Sequence, residues 1–150
     1  MHDIVGLFSN TSLLAALTGW FVAQALKIPF YYMLEKKWDL RRFFGAGGMP
    51  SSHTAMVVAL MISLGVIDGF NTPEFALSFA FAAIVMYDAC GVRRETGRQG
   101  EVINDILQKM LVDGKPISDV ELKELVGHSP FEVLCGAIVG ILCAAFWVLL

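Results

Sequence analysis

Four apolar runs decide what this chain can fold into: roughly residues 12–33, 54–67, 75–90 and 131–150. A membrane-spanning helix needs about 20 mainly apolar residues. The first run, interrupted by Lys27, and the last, whose single charge is Glu132, reach that length. The two middle runs reach it when residues 51–68 and 73–90 are taken whole, with polar ends at the interface and the turn DGFNTP as a tight hairpin between them. The composition agrees: 17% of the residues are charged, against about a quarter in soluble domains. The pattern predicts an all-α polytopic membrane bundle of about four transmembrane helices, formed by one domain over residues 1–150.

Charge then orients the bundle. All eleven Lys and Arg residues fall within 27–42 and 93–123. With four spans both segments lie at one end, and the positive-inside tendency makes that end cytoplasmic. Both termini then face outward. The second basic segment is more than a connection. Val102, Ile103, Ile106, Leu107, Met110 and Leu111 recur at helical spacing, DGKP interrupts, and SDVELKELVG follows, with Ser118 and Glu121 as a capping box and Gly127 as a stop. A surface helical hairpin is expected there, between the third and fourth spans. Cys90, Cys135 and Cys143 form no C-x-x-C pair and read as small core residues. The start of the chain has neither the basic opening nor the cleavage site of a signal peptide, so its first apolar segment is expected to remain in the protein.

The stretch GGMPSSHTA, residues 47–55, introduces the second run. Gly47 and Gly48 permit a sharp turn, and Pro50 disfavours helix at the residue before it. Ser51 or Ser52 suits an N-cap. The helix would start there with unpaired backbone N–H groups and the positive end of its dipole, a ready anion site, with His53 in its first turn. GHSPFEVLCGAIVG, residues 127–140, sets a second histidine at the mouth of a span. Ser129 fits the N-cap and Pro130 the first helical position. Glu132 follows His128 by four residues, within reach to orient its imidazole. Ser129 and Glu132 also form a capping box. The two roles compete for one carboxylate, and both stay open at this stage. Charges at or inside the membrane edge are costly and usually functional. Lys27, Asp88 and the group Arg93, Arg94 and Arg98 are such charges, and arginines suit bidentate contact with phosphate.

These motifs resemble the type-2 phosphatidic acid phosphatase superfamily, which includes vanadium haloperoxidases, and specifically its divergent branch of small membrane proteins. Its P-S-G-H motif is matched by Pro50-Ser51-Ser52-His53, with serine for glycine. The second half of its last motif, a histidine and an acid four residues later, is matched by His128 and Glu132, with glutamate for aspartate. YDACGVRRETGRQ and the order of the elements fit the divergent branch. Leu122 stands where the last motif has its arginine, and Leu34 stands where the first motif has Arg-Pro after lysine. In an intact site, Lys27, Arg93, Arg94 or Arg98 must then supply the phosphate-binding charges from new positions.

The resemblance implies a metal-independent lipid phosphate phosphatase that needs no cofactor. His128 would be the nucleophile, held by Glu132, and His53 the general acid. Ser51, Ser52 and the helix-start N–H groups would bind the phosphoryl oxygens. The site at the ends of membrane helices favours a lipid phosphate, its tail remaining in the bilayer. A cytoplasmic site favours phosphatidylglycerophosphate or phosphatidate, in the cell membrane. Membrane lipids are the expected surroundings, no nucleic-acid partner is expected, and a homodimer is compatible with so small a bundle. The alternatives are a non-catalytic protein that binds anionic lipid through its basic loops, a small transporter using Lys27 and Asp88, and a vanadate-dependent oxidase.

Overall fold

The computed structural model describes residues 6–45, 47–110 and 128–150. Within them the chain is a bundle of α-helices: α1 (Thr11–Glu35), α2 (Ser52–Ile67), α3 (Pro73–Cys90), α4 (Val92–Met110) and α5 (Pro130–Leu149), with a 3-10 turn at Leu40–Phe43. The ends of these helices follow from local chemistry. Asn10 caps α1 by accepting from the Leu13 N–H at 3.0 Å. Lys36 closes it in the left-handed conformation, its N–H donating to the Tyr32 carbonyl. Thr72 caps α3 and Pro73 fills its first turn, where a missing N–H costs nothing. The expected hairpin between α2 and α3 is present. Gly69 turns it at a φ of 105°, and the Thr72 hydroxyl donates to the Gly69 carbonyl at 2.8 Å.

Helices α1 and α5, and the run Pro73–Asn104, are long and apolar enough to cross a membrane. The second expected span is shorter. At 16 residues, α2 is about 24 Å long, less than the roughly 30 Å of a hydrocarbon core. Its burial explains how that is tolerated. Helix α2 packs against α1, α3 and α5, and buries residues over most of its circumference. A helix enclosed by neighbours need not match the bilayer. By contrast α3 buries only Ser78, Ala82 and Ala89, and exposes Leu77, Phe79, Phe81 and Ile84, the surface a lipid-facing helix requires.

The contact between α1, α2 and α5 is made of small residues. Ala15, Ala16, Ala23, Ala55, Ala59 and Ala144 are essentially inaccessible. A Cβ added at Gly19 would stand 2.9 Å from the Ala55 carbonyl oxygen, and one at Gly140 would stand 2.6 Å from the same atom. One added at Gly136 would collide with the Ser51 carbonyl oxygen. In a membrane, helices gain little from hydrophobicity alone, so close backbone approach through small residues supplies the packing. The indole of Trp147 adds a polar tie, donating to the Thr18 hydroxyl at 2.9 Å.

Of the expected surface hairpin, the first arm is α4, joined to α3 through Gly91. The second arm, with Ser118, Glu121 and Gly127, lies outside the described residues, as do Leu111 and Leu122.

Candidate functional site

The end of α3 and the starts of α2 and α5 meet at one end of the bundle, with Lys27 of α1 in the field of Glu132. The residues before α2 set its position. Gly47 and Gly48 have φ of 83° and 80°, a region in which a side chain is strained. The Met49–Pro50 peptide is cis. Ser51 is the N-cap: its hydroxyl oxygen accepts from the Thr54 N–H at 3.4 Å and from the Thr54 hydroxyl at 3.0 Å. Ser51 is wholly buried, with both lone pairs engaged, so only its own hydroxyl proton is left to donate. Ser52, also buried, is the first helical residue, and His53, which is exposed, is the second. Both lie in the first turn of α2, at the positive end of its dipole.

The start of α5 lies directly against that cap. The Ser51 N–H donates to the Glu132 backbone carbonyl at 3.0 Å. This bond brings the two histidine-bearing segments together, although 75 residues of sequence separate them. His128 is buried, and its backbone N–H donates to the Ala89 carbonyl in the last turn of α3 at 3.1 Å. Its Nδ1 lies 3.0 Å from Glu132 Oε2. The same oxygen accepts the Ser129 N–H at 3.0 Å, while the Glu132 N–H donates to the Ser129 hydroxyl at 3.3 Å. The capping box and the histidine contact, competitors in the sequence, therefore coexist on one carboxylate. Because Oε2 already accepts from Ser129, it meets the imidazole as an acceptor. Nδ1 is then the donor in this contact, and Nε2 is the ring nitrogen left to meet another group.

Lys27 completes the cluster from α1. It is buried, its ammonium donates to the Gly45 carbonyl at 3.2 Å, and it lies in the electrostatic field of Glu132. The cation therefore sits on the carboxylate side of the site and also fixes the loop that leads to Gly47.

A family model described as Divergent PAP2 family matches residues 8–143. The chain belongs to the divergent PAP2 family. Among relatives of this family member is the uncharacterized membrane protein YuiD of Bacillus subtilis (strain 168), 38% identical over 146 residues that cover 91% of this chain and 92% of that protein. No solved structure matches the chain.

For a divergent PAP2 protein, the predicted site residues divide into three groups. Ser51, Ser52 and His53 at the start of α2 and His128 and Glu132 at the start of α5 lie on segments joined by the Ser51–Glu132 bond, and Lys27 sits in the field of Glu132 from α1, about two turns before its end. Arg98 is not: it is exposed on α4, 3.6 Å from Glu95, and among the described residues α4 packs on α3 alone. Arg93 and Arg94 lie in the first turn of α4, near Ala89, and their side chains lie outside the described residues. Sequence reasoning missed Gln24. It is buried one turn before Lys27, and its side-chain amide donates to the Phe43 carbonyl at 2.7 Å. The available signal was a polar residue on the same helical face as Lys27 within an apolar run.

Proposed function

We propose that this divergent PAP2 protein is a membrane phosphatase that hydrolyses the phosphomonoester of a lipid through a phosphohistidine. One observation carries the reading. A buried histidine is oriented by a carboxylate through Nδ1, and the segment bearing it is hydrogen-bonded to a helix start that bears a second histidine. That arrangement suits a nucleophile, an orienting base and an anion cradle.

In this reaction Nε2 of His128 attacks phosphorus as the P–O bond to the lipid alcohol breaks. Protonated His53 gives its proton to the departing oxygen. Water then attacks the phosphoryl group, His53 takes a proton from it, the P–N bond breaks, and phosphate leaves. The positive end of the α2 dipole, the Ser51 and Ser52 hydroxyls, and Lys27 stabilise charge on the phosphoryl oxygens. Phosphoryl transfer depends mostly on such positioning and electrostatic stabilisation. Arg93 and Arg94 are the nearest further cations in sequence to the α3 end and are proposed to add to it. Arg98 is retained only as an outer contributor.

The substrate is a lipid, because the site sits where membrane helices end and the acyl chains can stay in the bilayer. With the basic end cytoplasmic, phosphatidylglycerophosphate and phosphatidate are the leading candidates, and the protein is placed in the cell membrane. The test is phosphate release from a panel of lipid phosphates by purified protein beside His128→Ala. Release by the wild type and none by the variant supports the assignment. Equal release from both removes it. No release from either, with lipid binding intact, favours the non-catalytic alternative.

A further inference from the structure

The segment between α1 and Gly47 is unlike an ordinary connection. Beyond Glu35 the chain turns back and runs along the outside of α1. The Phe43 carbonyl accepts from Gln24 at 2.7 Å, the Phe43 ring meets the exposed Phe21 edge-on at 5.6 Å, and the Gly45 carbonyl accepts from Lys27. From Glu35 back to Gln24 is about 16 Å along the helix axis. The 25 residues of α1 extend to about 37 Å, only about 7 Å beyond a hydrocarbon core. In this strap, Trp38 and Arg42 lie against Tyr32 and Tyr31, about 5–6 Å back from the end of α1 and so near the boundary between headgroups and acyl chains, while Phe43 and Gly45 reach deeper along the helix.

Its residues suit that depth. Trp38, Leu40 and Phe44 are 68%, 71% and 87% exposed. Interleaved with them are Lys36, Lys37, Arg41 and Arg42, opposed within the strap by Asp39 alone. Trp38 stacks on Tyr32 at 4.6 Å, and Arg42 lies over the Tyr31 ring at 4.2 Å and 3.8 Å from Asp39. Lys37 and Arg41 are exposed. Bare aromatic and aliphatic side chains beside long cations make an interfacial membrane-binding surface. Excess positive charge selects anionic headgroups over zwitterionic ones.

We propose that the strap, residues 36–45, is a binding site for anionic phospholipid. Lys37 and Arg41 take the headgroup phosphate, and Trp38, Leu40 and Phe44 enter the acyl region. This site is separate from the histidine cluster and does not depend on the phosphatase reading. It borders that cluster, because the carbonyls held by Gln24 and Lys27 belong to the same strap.

The experiment uses the full chain in vesicles of brominated phosphatidylglycerol or brominated phosphatidylcholine diluted in unbrominated phosphatidylcholine. The signal is the tryptophan quenching lost on Trp38→Phe. Quenching of Trp38 should favour phosphatidylglycerol by at least about fivefold in relative affinity. That preference should fall at least about fivefold in Lys37→Gln/Arg41→Gln, and should weaken in about 0.5 M salt. Equal quenching by the two lipids in the wild-type protein, or an unchanged preference in the double variant, overturns the proposal. So does the absence of Trp38 quenching by either lipid. Loss of the preference on adding soluble glycerol phosphate at millimolar concentration also overturns it, since the cations would then serve a free phosphate and not a bilayer lipid.

Discussion

At the residue scale, the account turns on Glu132. One of its oxygens meets both the His128 imidazole and the Ser129 N–H. Glu132→Gln keeps the size and removes the charge, so the imidazole loses its tautomeric hold while most of the cap survives. Turnover should fall roughly 100- to 10,000-fold, with less than about 2 kcal/mol lost from stability. Steady-state kinetics beside thermal unfolding in detergent separates the two effects. His53→Ala removes the acid and base but leaves the cradle. It should cost about 100- to 10,000-fold in kcat and little in KM, read by phosphate release across substrate concentration. Lys27→Met strands the Gly45 carbonyl and leaves Glu132 without its buried counter-charge. A loss of about 1–3 kcal/mol in stability is expected, measured by the same unfolding assay. The sequence disclosed Glu132 and both histidines, because each stands at a helix mouth marked by a cap. It did not disclose the Lys27–Gly45 bond or the Gln24–Phe43 bond. Both depend on a strap folding back along α1, and no local periodicity encodes that.

At the element scale, the helix boundaries were legible because the stops and starts are chemical: Ser51, Thr72-Pro73 and Ser129-Pro130 begin helices where a side-chain oxygen can take an orphan N–H. The shortness of α2 was less so. Residues 51–68 read as a span when their polar ends were counted, but Ser51 belongs to the cap and Asp68 to the turn. The small-residue interface was also hidden, since glycine and alanine score simply as apolar or neutral until a neighbour approaches. Its test is Gly140→Val, which places a branched side chain against the Ala55 carbonyl and Val58. Overpacking of this kind costs about 1–3 kcal/mol, and should lower the unfolding temperature without touching any site residue. Gly48→Ala makes a contrasting case. Its added Cβ meets nothing within 4 Å, so only the positive φ opposes it, at a cost of about 1–2 kcal/mol.

At the scale of the whole molecule, three packed helices and a peripheral fourth hold both histidine segments at one end. Both basic segments begin at that same end: one follows Lys27 on α1, the other follows α3. The positive-inside tendency predicts that this end faces the cytoplasm. Single cysteines introduced at Lys37 and at Asn71, in a background with Cys90, Cys135 and Cys143 replaced, should label from opposite sides of sealed vesicles. Lys37→Cys should react only from the cytoplasmic side.

The most direct measurement is rapid quenching of purified protein mixed with a lipid phosphate, followed by mass spectrometry of its histidine peptides under alkaline conditions that preserve phosphohistidine. A phosphoryl group on His128 in the wild type and none in His128→Ala is the result predicted. Phosphate released at full rate with His128 never modified, or with the phosphoryl group found only on another side chain, contradicts the account.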